Sequence, residues 1–145
     1  MAQRIVFADF DPVLVARQQR HFHGLGFDVA SAATPDELVH EVRTAGAQVI
    51  VADIAFLTDD GQAPLRQIQA ENGTIHIIMT VDAVSLSEFL LCMRSGVDDC
   101  VFKPFDESAL EASVRIGCAR HQQWQQHLRN LQARRYHHGF ADVTA

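Results

Sequence analysis

Hydrophobic and polar positions along the chain form alternating blocks that predict a mixed α/β fold. Short apolar runs rich in branched side chains recur, and each is followed by a stretch in which apolar residues are spaced as on one face of a helix. The predicted strands cover residues 4–8, 27–32, 49–53, 75–80 and 100–102. Regular alternation of strands with helices favours a parallel sheet that has helices on both faces.

Capping signals locate the starts of the predicted helices. Asp11 precedes Pro12, and the segments 34–37 (Thr-Pro-Asp-Glu) and 85–88 (Ser-Leu-Ser-Glu) are capping boxes. Gly24 and Gly96 end two of the helices. The helices are therefore predicted over about 12–24, 35–45, 64–70, 86–95 and from about 106 onward.

The last predicted helix is longer than a compact domain requires. Mainly apolar residues repeat along it at alternating steps of four and three, which is the spacing of a coiled-coil seam, although Gly117 and His121 weaken that seam. These positions are Leu110, Val114, Gly117, His121, Trp124, Leu128 and Leu131. We expect a domain over residues 1–120, a projecting helical extension over 121–135 and a frayed tail over 136–145. The extension could pair with a second copy in a homodimer, or it could be a plain solvated helix.

Length and cysteine content suggest one intracellular domain. A chain of 145 residues can bury a sizeable core, and no apolar run reaches membrane-spanning length. The start of the chain lacks the apolar core of a signal peptide. Cys92, Cys100 and Cys118 have no metal-ligand spacing, and we expect them to be reduced in a cytoplasmic protein.

Charge is distributed unevenly. Residues 1–111 contain 7 Lys and Arg against 17 Asp and Glu, a net charge of −10, whereas residues 112–145 have a net charge of +4. An acidic body argues against direct nucleic-acid binding, because phosphate neutralisation needs clustered cations. The basic C-terminal segment could contact an acidic partner or form a solvated face.

Polar residues follow four of the five predicted strands. Asp9, Asp53, Thr80 and Lys103 each lie where a strand ends, and Lys103 is the only lysine in the sequence. In a doubly wound sheet, these strand ends meet at one edge of the domain. A carboxylate can accept a phosphoryl group, while a lysine, a hydroxyl and a metal ion stabilise its oxygens. The pattern therefore predicts a phosphoryl-transfer site.

The same residues carry a resemblance to the receiver domains of two-component response regulators, over about residues 3–120. Its marks are Asp9 in a segment ending at Pro12, Asp53 with Gly61 closing the next loop, and Thr80. The most specific mark is the run 96–105 (Gly-Val-Asp-Asp-Cys-Val-Phe-Lys-Pro-Phe). The resemblance implies a flavodoxin-like (βα)5 fold, strand order 2-1-3-4-5, and a cis peptide before Pro104.

The resemblance also implies a function. A histidine kinase or phosphotransfer protein would donate a phosphoryl group to Asp53, whose oxygens Thr80 and Lys103 would then bind. Mg²⁺ would be held by Asp9, Asp53 and the backbone carbonyl of Ala55. Such a chain is a signalling domain in a phosphorelay rather than an enzyme with its own substrate.

Four positions depart from the family pattern, one of which is Leu57, where proline is common. Phe10 stands where a second acid is usual, so we expect weakened Mg²⁺ dependence unless Asp11, Asp59 or Asp60 compensates. Val81 should crowd access to Asp53, and Cys100 replaces the usual aromatic of strand five.

These departures leave alternatives open. One is a pseudo-receiver that acts as a phosphorylation-independent interaction or dimerisation module. Another is an unrelated flavodoxin-like enzyme or nucleotide binder, which the absence of a glycine-rich phosphate loop disfavours. Residues 140–145 faintly resemble the start of a diguanylate cyclase domain, which would be an output domain beyond this chain.

Overall fold

The computed structural model describes residues 2–56, 62–82 and 85–144, with backbone alone for 62 and 136–144. Five strands alternate with five helices. The strands are β1 (Arg4–Ala8), β2 (Asp28–Ala32), β3 (Val49–Asp53), β4 (His76–Asp82) and β5 (Asp99–Lys103). The helices are α1 (Pro12–Gly24), α2 (Pro35–Ala45), α3 (Gln62–Glu71), α4 (Leu86–Arg94) and α5 (Glu107–Thr144).

The sheet is wholly parallel, and its strands lie in the order β2-β1-β3-β4-β5. The predicted flavodoxin-like fold is thus confirmed. The register pairs Asp53 with Thr80, and Asp82 at the end of β4 with Lys103 at the end of β5. Ala8 pairs with Ala52. Asp9 and Asp53, the residues that follow these two in sequence, therefore lie side by side. This register gathers the polar strand ends at one edge.

The predicted caps are present. The Asp11 side chain accepts from the backbone N–H groups of Val13 and Leu14 at the start of α1. Thr34 and Ser85 accept from the N–H groups of Glu37 and Glu88 at the starts of α2 and α4. These bonds satisfy donors that the first turn of a helix leaves without partners, and each is worth about 1 kcal/mol.

Two apolar clusters, one on each face of the sheet, make up the core. The first contains Val6, Ile50 and Met79 together with the inner faces of α2, α3 and α4. The second contains Phe7, Val51 and Ile78 with α1 and α5. Successive residues of one strand point to opposite faces, so β1, β3 and β4 contribute to both clusters. This double burial explains why the central strands are continuous apolar runs.

The cysteine prediction is wrong for two of the three residues. Cys92 on α4 is bonded to Cys100 on β5 as a disulfide, and Cys118 is free and buried. The sequence gives no sign of this bond, because the 8-residue spacing does not reveal that the inner face of α4 meets β5. Among the described residues, no helix combines the length and apolar character that crossing a bilayer requires.

Helix α5 runs unbroken from Glu107 to Thr144. Residues 136–145, for which a frayed tail is predicted, continue the helical backbone as far as Thr144. His121 Nδ1 lies 2.8 Å from the carbonyl oxygen of Thr74, and Gln125 donates to the Thr74 hydroxyl at 3.0 Å. The helix is therefore tied to the loop before β4 well beyond the point where it covers the core. The division of the chain near residue 120 stays a prediction.

His76 is buried where α5 crosses the start of β4. It is 4% exposed, and Gly117 of α5 lies directly over its ring. Burial lowers the pKa of His76 below its ordinary value of 6.5, and Arg120 adds to this effect while Asp98 and Asp99 oppose it. The imidazole is therefore held neutral in the folded protein.

We expect His76 to lower the stability of the folded protein in acid. The unfolded chain binds a proton at His76 near pH 6.5, but the folded chain does so only at lower pH. Stability should therefore fall below pH 6.5 by up to about 1.4 kcal/mol per pH unit until the folded pKa is reached. Urea unfolding of wild type and His76→Gln between pH 7.5 and 5 measures this, and equal pH dependence in both proteins would refute it.

Candidate phosphoryl-acceptor site

The structure brings all four predicted polar residues together. Lys103 Nζ lies 2.8 Å from Asp9 Oδ2 and 2.8 Å from Asp53 Oδ1. The Thr80 hydroxyl donates to Asp53 Oδ1 at 3.3 Å. Asp9, Asp53 and Lys103 stand at the carboxyl ends of their strands. Thr80 lies two residues before the end of β4, which extends beyond the predicted end at residue 80. The parallel sheet therefore accounts for the meeting of residues far apart in sequence.

Backbone donors fix the orientations of the two carboxylates. Asp53 Oδ2 accepts from the N–H of Ala55, in the 3-10 turn Ile54–Phe56, at 3.0 Å. Asp9 Oδ1 accepts from the N–H of Asp11 at 2.9 Å. In each residue one oxygen is bound to the backbone and the other faces Lys103. The carboxylates are therefore aimed at a common point before any ligand binds.

Lys103 is poised as a fixed positive charge. Burial disfavours its ammonium, but the hydrogen bonds with Asp53 and Asp9 outweigh that effect and raise the pKa above 10.5. The peptide bond between Lys103 and Pro104 is cis, as the family resemblance predicts. The ammonium is thus charged at neutral pH and can neutralise negative charge that arrives at Asp53.

The donor set fits Mg²⁺ in part. Two carboxylates converge within reach of one ammonium, and hard oxygen ligands are those that Mg²⁺ prefers. Among the described residues, however, no group of three or more His, Cys, Asp or Glu could hold a metal ion. The Asp9–Asp53 pair suits an ion that keeps several of its waters, with the carbonyl of Ala55 as the predicted third ligand.

Phe10 forms an apolar side of this site. Its ring is 54% exposed and stacks on the buried ring of Phe56, with centroids 4.5 Å apart and an interplanar angle of 26°. Sequence reasoning found Phe10 as a missing acid but missed Phe56, whose role is set by the turn after β3. The stack holds Phe10 in place, so the substitution adds a specific contact as well as removing a charge.

Asp11, Asp59 and Asp60 are the acids that could replace the carboxylate missing at Phe10. Asp11 is accounted for as the cap of α1, because its Oδ1 accepts from two backbone N–H groups. Asp59 and Asp60, together with Gly61, lie outside the described residues.

Val81 is fully buried in the core cluster beneath the sheet edge, so it lies in the interior rather than at the surface of the site. Leu57, another position that departs from the family pattern, lies outside the residues that the structure describes.

A cleft of about 330 Å³ opens beside Lys103. Leu14 and Arg17 of α1 form one wall, and Asp82, Pro104 and Phe105 form the other. The cleft reaches Lys103, whose ammonium contacts Asp53. A larger cleft of about 470 Å³, bordered by His76 and Trp124, lies at the opposite ends of the strands and is remote from this chemistry.

Comparisons with known proteins agree on one family. The family model described as "Response regulator receiver domain" matches residues 5–115. The DNA-binding response regulator MtrA of Mycolicibacterium smegmatis is 30% identical over 122 residues, which are 84% of this chain and 53% of MtrA. The chain spans about half the length of the curated relatives it matches.

Solved structures match the fold over most of the chain. A CheY-like receiver domain protein from Methanospirillum hungatei has a TM-score of 0.75 at 19% identity, covering 85% of this chain and 98% of its own. A chain described as an adenylate cyclase from Rhodopirellula baltica has a TM-score of 0.80 at 17% identity, covering 91% and 98%. At these identities, the likeness concerns the fold alone.

Proposed function

Because the chain belongs to the response regulator receiver domain family, we propose that Asp53 accepts a phosphoryl group from a histidine kinase or phosphotransfer protein. The observation that carries this proposal is the convergence of Lys103 and Thr80 on one oxygen of Asp53. A nucleophilic carboxylate with a cation and a hydroxyl beside it has the parts that acyl-phosphate formation needs.

The residues present would divide the chemistry among them. An Asp53 oxygen attacks phosphorus as the donor's phosphorus–nitrogen bond breaks, and the departing imidazole takes up a proton. Lys103 then exchanges its contact with the carboxylate for one with a phosphoryl oxygen, and Thr80 donates to another. Asp9 keeps the ammonium oriented, since it binds the same Nζ. The acyl phosphate is thus bound by groups already aimed at Asp53.

Mg²⁺ would supply further neutralisation of the phosphoryl charge. Asp9, Asp53 and the carbonyl of Ala55 would hold it. Since Phe10 supplies no charge, we expect phosphorylation to need a higher Mg²⁺ concentration than a site with an additional carboxylate would.

Phosphorylation by a small-molecule phosphodonor tests the proposal. Wild type with acetyl phosphate and millimolar Mg²⁺ should gain one phosphoryl group by intact mass, and Asp53→Asn should gain none. Asp11→Ser keeps a capping oxygen and serves as the control, which should be phosphorylated like wild type. The proposal is contradicted if wild type gains no phosphoryl group at any Mg²⁺ concentration, either with acetyl phosphate or with a phosphorylated histidine kinase as the donor.

The second candidate function is a pseudo-receiver, which the Phe10–Phe56 stack favours. In this case the surface around Asp53 would bind a partner without phosphate. The phosphorylation experiment distinguishes the two candidates, because a pseudo-receiver remains unmodified under every condition.

The remaining partners are part of the same proposal. We infer an output domain in the full protein, because the matched relatives are about twice as long as the region they share with this chain. A diguanylate cyclase is one such output, because residues 140–145 faintly resemble the start of such a domain. The acidic body makes direct nucleic-acid binding by this domain unfavourable. A phosphodonor of this kind acts in the cytoplasm, which is the location we propose.

Helix α5 would pair two copies of the chain. Its seam begins inside the core, where Leu110 and Val114 are fully buried. The same stripe then emerges into solvent, where Trp124 is 55% exposed and Leu128 and Leu131 are each 40% exposed. These positions repeat at steps of four and three, which is the spacing by which two helices bury a shared seam.

Leu128→Glu with Leu131→Glu should convert a dimer into a monomer. The substitutions place charges inside the proposed seam, where burial of unpaired carboxylates is unfavourable. Sedimentation velocity at increasing protein concentration measures the association. Gln122→Glu with Ala133→Glu adds the same two charges away from the seam and should leave the dimer intact. A wild type that remains monomeric at high concentration contradicts the dimer.

A further inference from the structure

We propose that Cys92 and Cys100 form a reversible redox modification site that controls the attachment of α4 to the sheet. The two sulfurs are bonded across the gap between α4 and β5. The site lies apart from Asp53 and does not depend on whether Asp53 is phosphorylated.

The two cysteines differ in exposure. Cys92 is fully buried in the core cluster on the inner face of α4, whereas Cys100 on β5 is only partly buried and packs against that cluster. An oxidant therefore reaches Cys100 first, and Cys92 is already placed beside it to complete the bond. Burial raises the pKa of the third cysteine, Cys118, and so keeps its thiol protonated. A protonated thiol reacts slowly with an oxidant, so Cys118 competes poorly with Cys100 for it.

The bond would have a large effect on α4 because its other contacts with the body of the domain are made by partly exposed side chains, such as Leu91 and Phe89. Within the nine residues of α4, Cys92 is the one fully buried side chain. Leu86, Leu90 and Met93 are exposed on its outer side. A helix this short is marginal by itself and depends on its contacts with the sheet. A covalent link at the one fully buried position of α4 therefore determines how often the helix detaches from the sheet.

The link also joins two segments that serve the Asp53 site. Helix α4 follows the strand that carries Thr80, and Cys100 lies three residues before Lys103 on β5. The oxidised form therefore holds α4 and the strand of Lys103 in one fixed relation.

The chemistry is a two-electron exchange. With a peroxide as oxidant, Cys100 thiolate attacks oxygen to give a sulfenic acid and water. Cys92 then displaces hydroxide from that sulfur, so that two thiols and one peroxide yield a disulfide and two waters. A dithiol reductant reverses the bond by thiol–disulfide exchange and is itself oxidised to a disulfide. A reducing compartment shifts this equilibrium toward the dithiol and an oxidant shifts it back to the disulfide.

Peptide mapping of the full chain tests the bond. Trypsin places the three cysteines on separate peptides, residues 67–94, 95–115 and 116–120, because cleavage before Pro104 is blocked. Reduced protein treated with hydrogen peroxide should give the cross-linked pair 67–94 with 95–115, and dithiothreitol should release it under native conditions. No cross-link, a bond to Cys118, or a bond that resists native reduction would each overturn the proposal.

Hydrogen exchange tests the effect on α4, and no phosphodonor is added. Amides of α4 should exchange about tenfold or more slowly in the oxidised form than in the reduced form. Cys100→Ser changes the more accessible partner and should show no difference after peroxide treatment. Equal exchange in the two forms of wild type would overturn the effect on α4. Running the same experiment on Asp53→Asn separates this result from any failure of phosphorylation.

Discussion

Replacing Phe10 with aspartate should tighten Mg²⁺ binding by about tenfold. A new carboxylate beside Asp9 and Asp53 adds a unit charge a few ångströms from the ion, which at the high dielectric of water around this exposed position contributes about 1–2 kcal/mol. The substitution also removes the stack on Phe56 and should lower stability without metal by about 1 kcal/mol. Titration calorimetry with MgCl₂ measures the affinity.

The matched control is Phe10→Asn, which has the same shape as aspartate without its charge. It should lose the stack but leave the Mg²⁺ affinity close to that of wild type. An unchanged affinity in Phe10→Asp would mean that another carboxylate already completes the site. Asp59→Asn with Asp60→Asn would then test whether one of these two acids is that ligand.

Replacing Gly117 with alanine should destabilise the protein by about 2–3 kcal/mol. A Cβ at this position would clash with Cδ2 of His76 and lie 3.1 Å from Cγ2 of Val49. Both neighbours are buried, so neither can move aside freely. In an exposed helix, the same change would stabilise by about 1 kcal/mol, so the sign of the effect is diagnostic. Urea unfolding monitored by far-UV circular dichroism measures it.

A double substitution locates the cause of this loss. His76→Ala removes the ring that the new methyl group would meet, so Gly117→Ala should be far less harmful in that background. The coupling between the two positions should reach at least about 1 kcal/mol. Additive effects would show that Gly117 is required for a reason other than its contact with His76.

Much of the fold could be predicted because local signals and global topology agree. The capping boxes placed the starts of α2 and α4, and the apolar runs gave β1 and β3 to the residue. The polar strand ends were also predictable as a group, since any parallel sheet brings them to one edge. For this reason Asp9, Asp53, Thr80 and Lys103 were identified without knowledge of a single distance.

Features that depend on contacts between distant elements could not be predicted in this way. In the sequence Gly117 is a weak position of a helical seam, but in the structure it lies against the His76 ring and leaves no room for a side chain there. The Cys92–Cys100 bond and the Phe10–Phe56 stack likewise depend on the packing of elements rather than on spacing. Such contacts leave no periodic trace in one sequence.

Locating the phosphoryl group chemically is the most direct test of the central claim. Protein treated with phosphodonor and Mg²⁺ is reduced with borohydride, which converts an aspartyl phosphate into homoserine, and is then digested with trypsin. Residues 44–66 form one tryptic peptide that contains Asp53, Asp59 and Asp60. Fragmentation of this peptide should place homoserine at position 53. Homoserine at position 59 or 60, or in no peptide, would contradict the assignment of Asp53 as the acceptor.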